Sequence, residues 1–143
     1  MMKVFTTEID FSTNEPIELI DITKKIRKIC KESGVNNGIL SITTQHTTTS
    51  IIVNEKCEHL QKDMVNLLKD VVPEAEYHHD RQPADLRSNA HSHLMSMLLG
   101  SSVTIPVSEG TLEFGDWQSI FFIELDGPRA KRHVKIKVIG EKC

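Results

Sequence analysis

The hydrophobic positions change period several times along the chain, and each change marks an element. Residues 3–10 and Ile17 to Ile22 carry β-branched and apolar side chains on either side of Thr13, Asn14 and Pro16, which predicts two strands joined by a turn. Ile22, Ile26, Ile29 and Cys30 then recur at helical spacing, with Lys24, Lys25, Arg27, Lys28 and Lys31 forming the wet face between them. Asp21 or Thr23 suits the start of that helix and Gly34 its end. From Asn37 the period falls to two, and GILSITTQ and TSIIVN, rich in Ile, Val and Thr, predict paired strands. A second helix follows, with Cys57, Leu60, Met64, Leu67, Leu68 and Val71 on one face and Pro73 as its stop. Residues 73–88 read as a polar loop, and a short helix runs from about Ser88 to Leu99, ending at Gly100. The remainder is β: SVTIPV, TLEF, WQSIFFIELD and RHVKIKVIG.

Strands that flank segregated helices predict an α+β fold: one domain over residues 1–143, with a large, mostly antiparallel sheet layer and about three helices. The run Ile120 to Ile123 is apolar on both faces, which predicts a central strand covered on each side by helices, a second sheet or a partner subunit.

A chain of 143 residues is long enough for one core and too short for two. Its 17 basic against 20 acidic residues, a net charge of -3, remove the general attraction to polyphosphate expected of a nucleic-acid coat protein. Cys30, Cys57 and Cys143 are far apart and odd in number, which argues against a disulfide scaffold and for a reducing, cytoplasmic setting. The opening MMKVFTTEID lacks the apolar core of a signal peptide, and no stretch approaches the ~20 apolar residues of a membrane span.

The candidate chemistry lies in the histidines. Four of the seven (His78, His79, His91 and His93) fall within 16 residues around the polar loop, and His46 ends a strand inside QHTTTS. Three imidazoles from separate segments would match a catalytic zinc site with an open position, while the same residues would serve equally as exposed or backbone-capping side chains. His91 and His93, two apart on a helix, point opposite ways and are not expected on one ion. His93 begins the inward stripe, and only one of His78 and His79 should face the centre, with Asp80 placed to orient a ligand. Glu55, Gln118 and Glu124 stand at or in apolar strands, where polar groups are costly unless paired. They either line a site or satisfy neighbouring groups. Arg129, after the DGP turn, suits an anionic group or a structural role.

The blocks QHTTTSIIVNE, EYHHD, NAHSHLMSMLLGSSVTIPVSEGTLEFGDWQ and IFFIELDGPRAKR, in that order, resemble the YjbQ-like family, also called the secondary thiamine-phosphate synthase family. The resemblance runs from the first strand to Gly140 and implies an α+β subunit assembled as a homotrimer, a histidine cluster able to hold a metal, and a weak thiamine-phosphate synthase activity. By motif, the metal ligands it implies are His46, His79 and His93, with His91 second in rank. The sequence departs from the family pattern at His78, at Asp116 in GDWQ and at NEKC.

The function expected on this basis is a metal-dependent enzyme acting on a small phosphorylated molecule. Zinc suits imidazole ligands, and magnesium would suit a diphosphate reactant. In the implied reaction a thiazole phosphate nitrogen displaces pyrophosphate, with Arg129 and the ion stabilising the leaving charge. The alternatives are a metal-dependent hydrolase using Glu55 or Asp80 as general base, with Gln118 lining the site, and a non-catalytic trimer that binds a metal or an anion.

Overall fold

The computed structural model describes residues 1–81 and 87–142. Eight strands form two antiparallel sheets. Strands β1 (Met2–Phe11), β3 (Val35–Thr43), β5 (Ser102–Ser108), β6 (Thr111–Leu112) and β8 (Arg132–Lys142) make a five-stranded sheet in the order β1-β8-β3-β5-β6. Strands β2 (Glu18–Asp21), β4 (Thr49–Glu55) and β7 (Gln118–Glu124) make a three-stranded sheet in the order β2-β7-β4. The large, mostly antiparallel β layer is thus built as two sheets, and TLEF shortens to the two residues of β6.

Helix α1 (Thr23–Ser33) follows β2 directly. Asp21 Oδ1 accepts the backbone N–H and the hydroxyl of Thr23, and Gly34 closes the helix in the left-handed region at φ 70°. Its apolar stripe, Ile22, Ile26, Ile29 and Cys30, packs with Leu40, Ile42, Val134, Ile136 and Val138 of the five-stranded sheet and with Ile120 and Phe122 of β7. The alternate positions of β7, Phe121 and Ile123, face the other way with Leu125, beneath α2 (Glu58–Val71) and α3 (Ala90–Leu99), through Leu68, Val72 and Met95. β7 is thus central and covered on both faces, by the second sheet and by helices, as its unbroken apolar run predicts.

The polar loop after α2 contains a 3₁₀ turn, His78–Arg81, and its residues 82–86 lie outside the described part of the chain, as does Cys143. Among the described residues, no helix is long and apolar enough to cross a membrane.

Candidate functional site

Helix α3 is pinned to the sheet by three small side chains. Ser92 Oγ donates to the carbonyl of Leu125, Ser96 Oγ to that of Thr49, and Ser50 Oγ to that of Gly100, each at 2.6 Å. The helix therefore lies over the end of the three-stranded sheet where β4 begins and β7 finishes. Its first turn presents His93 to the 3₁₀ turn, where the His79 and His93 rings meet with centroids 4.9 Å apart and planes inclined by 56°. Asp80 ties this junction together: its Oδ1 accepts the Ala90 backbone N–H at 3.0 Å and lies 3.3 Å from His79 Nδ1. A carboxylate so placed orients the imidazole, as carboxylates do behind metal-binding histidines. His78 is exposed, so within the His78-His79 pair it is His79 that turns inward.

His91 and His93 diverge, as the helical period requires. His91 Nε2 lies 3.5 Å from Glu74 Oε1. It borders two clefts, one of about 530 Å³ that includes Tyr77, Asp80 and Arg81, and one of about 570 Å³ floored by Val72, Met95 and Leu125.

His46 stands elsewhere, between β3 and β4, against His133 at the start of β8, with ring centroids 4.6 Å apart. Its Nε2 accepts the His133 backbone N–H at 3.1 Å. A neutral imidazole has one acceptor nitrogen, so this bond spends the lone pair of His46 and leaves Nδ1 as a donor. Burial, then the nearby charges of Arg132 and His133, push the His46 imidazole below its ordinary pKa, with Glu124 opposing them. This favours the neutral ring, yet its Nδ1 offers a proton where a metal ligand must offer a lone pair.

Beneath His46 lies a buried ion pair. Arg132 donates through Nε to Glu124 Oε1 at 2.9 Å and through Nη2 to Glu124 Oε2 and Thr48 Oγ1, and the Thr13 hydroxyl donates to Glu124 Oε1 at 2.7 Å. Burial alone would raise the Glu124 carboxyl. The hydrogen bonds from Arg132, Thr13 and the Asp126 N–H, with the charge of Arg132, hold it below its usual range.

A second network is built on Asp126, whose Oδ2 accepts from Arg87 Nε, Asn89 Nδ2 and Arg129 Nη2 at 2.8–2.9 Å. Its carboxyl is likewise depressed, these bonds outweighing burial. The turn at residue 127 admits only glycine, because a Cβ there would come within 2.1 Å of the Glu15 carbonyl oxygen. Arg129 is thus tied to the turn, through Nε to the Asp126 carbonyl and through Nη2 to the carboxylate, rather than standing free for an anion.

Glu55 and Gln118 face each other in register at the opposite end of the three-stranded sheet. Glu55 is six residues along β4 from Thr49, about 20 Å. Gln118 Oε1 accepts the Gly115 N–H, closing its own turn. The chain therefore does not bring these two residues to the histidines at the α3 end.

His133, Arg132 and Asn89 entered the site unannounced. Glu124 carried the one available signal for Arg132, since a carboxylate on an apolar strand demands a buried cation. His133 gave none, because it reads as an ordinary polar position on an alternating strand.

Two imidazoles with an orienting carboxylate have the chemistry of a zinc half-site. Among the described residues, however, no group of three or more His, Cys, Asp or Glu side chains could hold one ion, so these residues offer an incomplete ligand set.

The sequence and the fold both have close counterparts. Residues 7–141 match the family model of UPF0047, YjbQ-like proteins. A UPF0047 protein of Methanothermobacter thermautotrophicus is 42% identical over 141 residues, covering 98% of this chain and 95% of the relative. YugU of Bacillus subtilis is 35% identical over 133 residues, covering 92% and 97%. A crystal structure of a YbjQ-like protein from Sulfolobus solfataricus superposes with a TM-score of 0.93 at 38% identity, covering 99% of this chain and 100% of that one. The crystal structure of a hypothetical protein from Aeropyrum pernix superposes with a TM-score of 0.89 at 33% identity, covering 96% and 99%. Matched along nearly its whole length in both sequence and fold, the chain belongs to the UPF0047 family of YjbQ-like proteins.

Proposed function

We propose that the protein is a metal-assisted transferase acting on a small phosphorylated molecule, with His79 and His93 as the imidazole ligands that each chain contributes. The observation that carries this reading is the pairing of those two rings, 4.9 Å apart, beside a carboxylate that orients one of them. Zinc suits such donors better than magnesium, which prefers oxygen, and when bound it would polarise a phosphoryl oxygen. A second copy of the chain in a homotrimer, solvent or the reactant itself completes the set.

His46, neutral and with Nδ1–H to give, is suited to donate to an anionic oxygen, and Arg129 keeps the guanidinium hydrogens that Asp126 does not use.

Transfer is favoured over hydrolysis because the two bases the sequence offered, Asp80 and Glu55, are poorly placed for water activation. Asp80 is engaged by the Ala90 amide and by His79, and Glu55 is at the wrong end of β4. A heterocyclic nitrogen carries no proton and needs no general base to displace pyrophosphate, whereas water does. Transfer to a thiazole phosphate, as in a secondary thiamine-phosphate synthase, is the form of the reaction proposed. A cytoplasmic setting accords with the free thiols of Cys30 and Cys57.

The test begins with metal analysis of tag-free protein purified without chelator. Zinc is expected near one equivalent per chain, and the His79→Ala, His93→Ala double variant should bind on the order of 100-fold more weakly or worse. Turnover of a thiazole phosphate with a hydroxymethylpyrimidine diphosphate should exceed that of simple phosphoesters and vanish in the double variant. Zinc binding without turnover of either class would leave a non-catalytic metal-binding protein.

The state of His46 makes a separate prediction. Its folded pKa is below the unfolded value near 6.5, so the unfolded chain takes up the proton first as pH falls. The stability this neutral ring contributes is complete above about pH 6.5 and is lost as pH drops through that value toward the lower folded pKa. Unfolding by urea between pH 7.5 and 5 should show the decline in the wild type and a flatter profile in His46→Gln.

A further inference from the structure

We propose that Asn89 positions His93: its side-chain carbonyl accepts the His93 Nδ1–H, which leaves the Nε2 lone pair free and turned outward. The proposal rests on the reading of His79 and His93 as ligands. It begins from a group that the fold leaves unexplained. Asn89 is only 6% exposed, and its Oδ1 is the one buried side-chain polar atom among the described residues without a hydrogen-bond partner. Buried acceptors are almost always satisfied, so an orphan of this kind calls for a donor.

The amide cannot be reversed to escape the difficulty. Nδ2 donates to Asp126 Oδ2 at 2.8 Å, and Asp126 is itself held by Arg87 and Arg129. Turning the amide over would set its carbonyl oxygen against that carboxylate, so Oδ1 must face the other way.

Most local backbone donors are engaged elsewhere. An asparagine at the start of a helix ordinarily accepts an N–H of the first turn. Here no such bond forms: the Ala90 N–H goes to Asp80 and the Ser92 and His93 N–H groups go to the Asn89 backbone carbonyl, which leaves the His91 N–H as the one first-turn backbone donor without an assigned acceptor. The side-chain donor placed to reach this oxygen is the His93 imidazole, four residues along and so directly above Asn89 on the helix. The two are not bonded in this structure, and a turn of the His93 ring about its side-chain torsions is the step required.

The result would match what Asp80 does for His79, whose Nδ1 lies 3.3 Å from that carboxylate. His93 would then have, like His79, an oxygen behind its Nδ1. This is the arrangement that fixes tautomer and direction at metal-binding histidines.

Two substitutions separate the acceptor from the rest of the residue. Asn89→Asp keeps a side-chain oxygen and loses the donor to Asp126, whereas Asn89→Leu loses both. Long-range ¹H–¹⁵N correlation spectra of the metal-free protein at pH 8 report the His93 tautomer directly. The Nδ1–H form is expected to dominate in the wild type and in Asn89→Asp, and to give way to Nε2–H in Asn89→Leu. Calorimetric zinc affinity should fall about 10–100-fold in Asn89→Leu and not in Asn89→Asp. A wild-type His93 that is mainly Nε2–H, or leucine and aspartate variants that behave alike, would overturn the proposal. If the leucine variant fails to fold, the wild-type tautomer decides alone. If the wild type binds no zinc, the metal reading fails while the tautomer still judges Asn89.

Discussion

Replacing Arg132 with methionine is expected to cost about 3–5 kcal/mol of unfolding free energy, measured as a fall in the urea midpoint at unchanged slope. Arg132 is 3% exposed and Glu124 is fully buried. Methionine fills much of the same volume but leaves a buried carboxylate with one hydroxyl and backbone N–H groups for company. The loss reflects the charge left behind more than the net worth of the pair. Arg132→Met combined with Glu124→Gln should therefore recover part of it, since the remaining amide is neutral.

The pH profile carries the same signature. Glu124 has a folded pKa below its ordinary value near 4.5, so its contribution is complete above that value and is lost as pH falls through the lower folded one. Arg132→Met should abolish that acid limb. A destabilisation under about 1 kcal/mol would show that the pair is solvated in the working protein, as exposed pairs are.

Phe121→Ala and Phe122→Ala are each expected to cost about 3–5 kcal/mol, because both rings are fully buried in well-packed clusters. Their functional consequences should differ. Phe122 lies between the sheets, edge-on to Phe11 at a centroid distance of 4.5 Å. Phe121 lies beneath α3, in the cluster that holds Leu94, Met95 and Leu99. A cavity under α3 loosens the element that carries His93, so Phe121→Ala should weaken zinc binding as well as stability, while Phe122→Ala should spare zinc binding. Calorimetry on both variants under conditions where each is folded makes the comparison. Equal effects on zinc would mean that the packing of α3 does not set the geometry of the pair.

Much of the architecture was legible in the residues. The alternation of β1, β3 and β4, the stripe Ile22, Ile26, Ile29 and Cys30, and the doubly apolar run of β7 are local consequences of which faces must leave water, and each became the element expected. Less legible was the division of the strands into two sheets. Both sheets are antiparallel and both bury apolar residues, so the pattern within a strand does not say which neighbour it pairs with. The 3₁₀ turn at His78–Arg81 escaped notice for a related reason, since a four-residue turn has no period to detect.

The site divides along the same line. Helical periodicity alone separates His93 from His91, and the structure sends one to His79 and the other to Glu74. That Glu124 needed a partner also followed from its place on an apolar strand. Which partner, and what each imidazole nitrogen is left to do, did not. Arg132 reaches Glu124 from the next strand, and the lone pair of His46 is spent on an amide 87 residues away. The sequence by itself determined the elements, most of their buried faces and the chemical types gathered near the loop, because those depend on local period and on the cost of burying a polar group; in α2 the expected face fails in part, since Leu67 and Val71 are exposed. Only the tertiary structure decided which donor meets which acceptor, because a hydrogen bond is a matter of a few tenths of an ångström between segments that the chain order does not place together.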